Sequence, residues 1–176
     1  MKIVLDSNIL IADYWLESVS STMLLENCKN GKIDLYIPKV VIDETCNKFN
    51  SQINSHSANI LKEVKSFEKL SKQKAPTIIT KEIGNKAIDD YRKNLESIIK
   101  DNKITIIDYP NTPHEYLVKK VMLKKKPFNE SEKGYRDSLI WENVKSLISS
   151  DGVEIPATPE VIFISKNHKD FTSNNN

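Results

Sequence analysis

Residues 2–11 read KIVLDSNILI, a short apolar run that stops at an aspartate. Residues 2–5 (KIVL) predict a buried β-strand, because a short apolar segment closed by polar residues is typical of a strand inside a sheet. Residues 6–8 (DSN) end the strand, and their side chains can cap a helix that begins near Ile9. The chain therefore opens with a strand that passes directly into a helix.

The rest of the sequence repeats this alternation of strands and helices. Such a pattern predicts a parallel sheet covered by helices on both faces. The helical stretch 38–101 is unusually long for a connection between two strands, and we expect it to project beside the sheet as a helical hairpin. We predict further strands at 33–37, 103–107 and 160–164, and helices at 9–29 with a break near 18–21, 38–70, 82–100, 114–124 and 135–149.

The bulk composition fits one soluble globular domain. The chain has 176 residues, a net charge of +2 and 39% hydrophobic residues, and no apolar run is long enough to span a bilayer. The first apolar stretch ends at the charged Asp6, so it does not resemble a signal peptide, and we expect a cytoplasmic protein. We assign residues 1–171 to the domain and 172–176 to a polar tail, or to the point where a longer protein continues.

Four acidic residues occur at strand ends or near the starts of helices. Asp6 ends the first strand, Glu44 lies in the helix after the second strand, Asp137 lies near the start of a later helix, and Asp170 follows the fourth strand. Asp43 competes with Glu44 for its position. Singly, each is explained by helix capping or solvation. Together they indicate a site, because the carboxyl ends of parallel strands meet at one edge of the sheet.

The chemistry of such a cluster favours a divalent cation. Carboxylates that are packed together repel one another, and a bound cation removes that penalty. Mg²⁺ or Mn²⁺ prefers oxygen ligands, and one or two such ions can activate water for phosphodiester hydrolysis. This chemistry requires neither a histidine base nor a nucleophilic serine.

Four segments of the chain also resemble the ordered motifs of a known family. They read LDSNILI at 5–11, IPKVVIDE at 37–44, GYRDSLIWE at 134–142 and ISKNHKDF at 164–171. In this order, on these predicted elements, they resemble the PIN-domain family, with the closest similarity to bacterial PIN-like domains that carry an RDxLIWE-type motif. The resemblance covers nearly the whole chain, although 50–130 matches only in its pattern of elements.

The resemblance implies a three-layer α/β/α sandwich and a Mg²⁺- or Mn²⁺-dependent nuclease that usually cuts RNA. It implies that Asn8 supports the first acid, and it aligns Asn167 with the polar residue that precedes the last one. A turn role for Asn167 explains it equally well. The family's acidic positions, which are both catalytic and metal-binding, fall on Asp6, Glu44, Asp137 and Asp170.

Basic residues near these motifs are candidates for contacts with phosphate. Arg136 stands beside Asp137, and Lys124 and Lys125 belong to a cluster of five lysines at 119, 120 and 124–126. Such a cluster can meet a nucleic-acid backbone, although a solvated helix end is the more usual explanation. The expected partner is a nucleic acid, RNA before DNA, and homo-oligomers and a further C-terminal region are left open.

Three other functions are compatible with the sequence. The same acids permit a DNA-directed, flap-type nuclease, or a catalytically silent PIN-type module that only binds, and a metal phosphatase is a more distant alternative. The long stretch 45–101 exceeds the insertion of the small toxin-type members, which argues against a simple toxin role. The sequence does not decide the substrate species, the cleavage sequence or the pathway.

Overall fold

A computed structural model of the chain describes residues 1–76, 81–128, 134–148, 159–167 and 171. The predicted elements are all present within these ranges. The strands are β1 (Lys2–Leu5), β2 (Asp34–Pro38), β3 (Thr105–Ile107) and β4 (Val161–Ile164); the helices are α1 (Ser7–Ala12), α2 (Val19–Lys29), α3 (Lys39–Ser71), α4 (Lys81–Asp101), α5 (His114–Met122) and α6 (Tyr135–Ser146).

The four strands form one parallel sheet in the order β3-β2-β1-β4. The strand β1 is interior, with Ile3 opposite Leu35 of β2 on one side and Ile162 of β4 on the other. Val4 and Leu5 are almost fully buried, as expected for a parallel strand covered on both faces. The predicted α/β fold with a central parallel sheet and a long helical segment after the second strand is confirmed.

The first helical region breaks earlier than the sequence predicts. We expected one helix from residue 9 with a break near 18–21, but α1 ends at Ala12 and α2 begins only at Val19. The carboxylate of Asp13 explains the early break, because it accepts hydrogen bonds from the backbone N–H groups of Glu17 and Ser18 and from the hydroxyl of Ser21. Burial raises the pKa of Asp13, but these hydrogen bonds outweigh it and lower the pKa to about 2.

The helices α3 and α4 pack side by side as the predicted hairpin. The 33 residues of α3 correspond to a length of roughly 50 Å at about 1.5 Å per residue. Phe49 of α3 stacks on Tyr91 of α4 with 4.2 Å between ring centroids, and Gly84 lies beside Ile53 and Ser57 of α3. Beyond this point α3 presents exposed apolar side chains, at Ile60, Leu61, Phe67 and Leu70.

Among the residues that the structure describes, no helix is both long enough and apolar enough to cross a bilayer.

Candidate active site

Asp6 lies at the carboxyl end of the interior strand β1, where it caps α1. Its side chain is only 2% exposed. One carboxylate oxygen, Oδ1, accepts hydrogen bonds from the backbone N–H of Ser7 at 2.6 Å and from the Ser7 hydroxyl at 3.3 Å. The other oxygen, Oδ2, accepts from Asn8 Nδ2 and from the Ser165 hydroxyl, each at 2.6 Å. Among the described residues, the buried Asp6 carboxylate therefore accepts hydrogen bonds only from the neutral groups of Ser7, Asn8 and Ser165.

Asn8 links the ends of β1 and β4. Asn8 Oδ1 accepts a hydrogen bond from the backbone N–H of Lys166 at 2.9 Å. This contact directs Asn8 Nδ2 toward Asp6 and Ser165. A backbone N–H can only donate, so this contact fixes which way the amide points. The structure therefore gives Asn8 the contact with Asp6 that the resemblance implies.

Ser165 is a member of this network that our sequence analysis missed. Its hydroxyl donates to Asp6, and it accepts from Asn8 Nδ2 and from the backbone N–H of Asn167. The strand register explains its position, because Leu5 pairs with Ile164 and the residues that follow are neighbours across the sheet. The hydrogen bond from the backbone N–H of Asn167 to the Ser165 hydroxyl is a contact typical of a turn.

Glu44 and Asp43 are adjacent on α3 but face different neighbours. Glu44 forms an ion pair with Arg136 of α6, and its side chain is 18% exposed. Asp43 is exposed and accepts a hydrogen bond from the hydroxyl of Tyr109, which follows β3, at 2.7 Å. Of the two acids, Glu44 is therefore the one that faces the helix carrying Asp137.

Asp137 is half-buried in the first turn of α6. The start of this helix is fixed by Gly134, whose φ is +119°, and a Cβ at this position would collide with the carbonyl of Pro127. Only glycine satisfies both conditions. This constraint positions Arg136 and Asp137 on the turn that meets Glu44.

The five lysines near α5 are not all at the surface. Lys120 is buried, and its Nζ donates to the Ser138 hydroxyl at 3.1 Å and lies 3.4 Å from Glu142 Oε1. Its contacts tie α5 to α6, since a buried ammonium requires such partners. Lys119 pairs with Glu115 of its own helix. The lysines that are exposed on the loop after α5 are Lys124, Lys125 and Lys126.

The fourth predicted acid, Asp170, lies outside the described residues. Across the residues that the structure does describe, no group of three or more His, Cys, Asp or Glu side chains is close enough to hold a metal ion. Asp6 is engaged with its neutral donors and Glu44 with Arg136. The structure therefore positions these two acids without showing a complete metal site.

A family model described as a PIN domain matches residues 3–171. The chain belongs to the PIN-domain family. Comparisons with curated proteins and with solved structures gave no match. PIN domains are generally nucleases that act on nucleic acids, and they typically use divalent metal ions.

The residues of this PIN domain fit a divalent cation by their chemistry. Asp6 is a buried carboxylate whose hydrogen-bond partners among the described residues carry no positive charge. Burying a charge without a counter-charge is costly, and a bound cation removes that cost. The candidate ligands are all carboxylate oxygens, which are the donors that Mg²⁺ and Mn²⁺ prefer.

Proposed function

We propose that this PIN domain is a divalent-metal-dependent endoribonuclease. The observation that carries the proposal is the buried Asp6 carboxylate at the end of the interior strand, held in place by neutral donors only among the described residues. A carboxylate in this position is poised to accept a cation, because the cation supplies the charge that the buried group lacks.

The proposed ligands and supporting residues have separate tasks. Asp6, Glu44 and Asp137, with Asp170 as the fourth acid, would hold one or two Mg²⁺ or Mn²⁺ ions. Asn8 keeps the Asp6 carboxylate in one orientation through its contact with Lys166, and Asn167 is proposed to support Asp170. When bound, the cation activates water and offsets the negative charge that develops on the phosphodiester.

Arg136 and the loop lysines are the proposed phosphate contacts. The side chain of Arg136 is 62% exposed, so its guanidinium can turn from Glu44 toward a phosphate and bind two of its oxygens. Lys124 and Lys125 are exposed on the loop after α5 and would contribute sequence-independent affinity for the backbone. The preference for RNA over DNA rests on the family resemblance.

Both cysteines, Cys28 and Cys46, are free thiols. This agrees with the reducing cytoplasm that we propose as the location of the protein.

A cleavage assay on circular oligonucleotides tests the proposal. Circular single-stranded RNA and DNA of the same sequence are incubated with wild-type protein in Mn²⁺ or in excess EDTA, since a circle is cut only by an endonuclease. We expect RNA cleavage in Mn²⁺ only, and a loss of at least about 100-fold in rate for Asp6→Asn. Asp34→Asn is the matched control, because Asp34 is an exposed aspartate at the amino end of β2, whereas Asp6 follows the carboxyl end of β1.

Three outcomes would contradict the proposal. Undiminished RNA cleavage in EDTA would exclude a metal-dependent reaction. Cleavage of the DNA circle alone would favour the DNA-directed nuclease. A folded wild-type protein that cuts neither circle would favour a silent binding module.

A further inference from the structure

One face of α3, beside the face that carries Glu44, has a row of polar side chains. Lys39, Asp43, Asn47 and Asn50 are spaced by four, four and three residues, which places them on one side of the helix. We call these four residues the α3 strip. Glu44 lies on the adjoining face, so the strip begins at the same helical turns that carry the proposed catalytic acid.

The loop after β3 contacts the α3 strip at two points. Asp108 Oδ1 lies 4.0 Å from Lys39 Nζ, and the Tyr109 hydroxyl donates to Asp43 at 2.7 Å. The hydrogen bond to Asp43 raises the pKa of Tyr109, so the phenol remains a neutral donor at physiological pH. The hydrogen bond from its hydroxyl to Asp43 holds the Tyr109 ring in place, and the residue remains 48% exposed to solvent.

A cavity of about 310 Å³ continues from Asp43 along the strip, between α3 and α4. Its wall is apolar at Ile42 and Leu95, and polar at Asn47 and Arg92. A concave site with an apolar wall and a few polar groups suits a flat organic ring. The carboxylates of Asp43 and Glu96 disfavour a phosphate inside the cavity, so phosphates would lie outside it. These carboxylates can accept hydrogen bonds from the amino groups of a nucleobase.

We propose that the α3 strip and Tyr109 bind an unpaired nucleotide of the substrate strand next to the acidic site. The base stacks on the Tyr109 ring, Asn47 and Asp43 contact its edge, and Lys39 and Arg92 contact the adjacent phosphates. A base that is paired within a duplex cannot stack on a side chain in this way. The inference rests on the proposed function, and it specifies that the substrate is single-stranded at this subsite.

The first test measures binding without cleavage. Fluorescence anisotropy with a labelled single-stranded RNA 12-mer gives the Kd of the Asp6→Asn protein and of the same protein carrying Tyr109→Ala. Loss of one base stack weakens nucleic-acid binding by about 1–3 kcal/mol, so we expect a Kd increase of about 5- to 150-fold. Phe67→Ala is the matched control, because Phe67 is an exposed aromatic residue near the far end of α3.

The second test asks whether a base meets this ring. Abasic nucleotides are introduced one at a time along the 12-mer, and Kd is measured for both proteins. At one position we expect the abasic nucleotide to weaken binding to Asp6→Asn but to have no further effect once Tyr109 is replaced by alanine. Tyr109→Phe, which keeps the ring, should weaken binding less than Tyr109→Ala. Thermal unfolding by circular dichroism verifies that each variant is folded.

The outcomes separate this inference from the proposed function. Cleavage of RNA by the wild type, combined with an affinity that Tyr109→Ala leaves unchanged, overturns the subsite alone. Binding of Tyr109→Ala is also measured with the 12-mer annealed to its complement. If Tyr109→Ala weakens binding of the single strand and of this duplex equally, the subsite is overturned, because a stack on an unpaired base affects only the single strand. If the Asp6→Asn protein binds no RNA and the wild type cuts none, both proposals are wrong.

Discussion

Asp43 and Glu44 show how one step along a helix decides the partner of a side chain. Successive residues of an α-helix point about 100° apart. Glu44 therefore forms an ion pair with Arg136 of α6, whereas Asp43 accepts a hydrogen bond from the Tyr109 hydroxyl. The sequence could not decide between the two acids, because either one could supply the carboxylate that is expected early in α3. Only the packing of α6 and of the loop after β3 against adjoining faces of α3 distinguishes them.

The pairing of Arg136 with Glu44 leads to a prediction about metal affinity. A cation that binds Glu44 must displace the guanidinium of Arg136. Because Arg136 is mostly exposed, the ion pair contributes about 0.2–1 kcal/mol. Arg136→Gln should therefore lower the Kd for Mn²⁺ by about 1.4- to 5-fold in isothermal titration calorimetry. Arg92→Gln, the same change on α4, should leave this Kd unchanged. Weaker Mn²⁺ binding by Arg136→Gln would show that the pair does not compete with the metal.

Part of the Asp6 environment could be predicted from the chain alone. Asp6 and Asn8 follow β1 directly, and the resemblance to the PIN-domain family implied their contact. The contribution of Ser165 could not be predicted, because it requires β4 to lie next to β1. Alternation of strands and helices gives no strand order, so a residue 159 positions away could not be matched to Asp6.

At the scale of elements, apolar periodicity predicted every strand and helix of the described residues, with small shifts at the ends. The break between α1 and α2 was misplaced for a local reason. The hydrogen bonds that Asp13 accepts from Glu17, Ser18 and Ser21 define a tight turn, which apolar spacing does not show. Side-chain to backbone contacts of this kind compete with helix formation.

The Asp13 turn gives a pH-dependent prediction for stability. The folded pKa is about 2 against an ordinary value of 3.8, so the ionised form stabilises the fold above about pH 4 and this contribution is lost toward pH 2. Asp13→Ala should lower the free energy of unfolding by about 1–2 kcal/mol at neutral pH. Urea unfolding should show that this difference shrinks as the pH falls below 4.

A matched control separates the turn from a general loss of charge. Asp90→Ala removes a carboxylate at an exposed position on α4, so its effect on the free energy of unfolding should not depend on pH in this way. A difference between wild type and Asp13→Ala that stays constant from pH 7 to pH 2 would contradict the role of the ionised carboxylate.

At the scale of the whole molecule, the sheet order explains where the proposed site forms. The interior strand β1 ends just before Asp6, and β2 leads into α3 with Glu44. In the sequence, Asp170 follows β4, the strand next to β1. The same helix α3 continues outward with α4 and provides the strip that we assign to substrate. Sequence alternation was sufficient for the fold class, because buried parallel strands between amphipathic helices have few other solutions.

The central claim is that Asp6 and its acidic neighbours hold a divalent cation. A crystal of the wild-type protein soaked in MnCl₂ tests it most directly, because manganese is located by its anomalous scattering. We expect a manganese peak in contact with the Asp6 carboxylate and with at least one of Glu44, Asp137 and Asp170, with Arg136 displaced wherever Glu44 is a ligand. A manganese-saturated crystal with no peak beside Asp6 would contradict the claim.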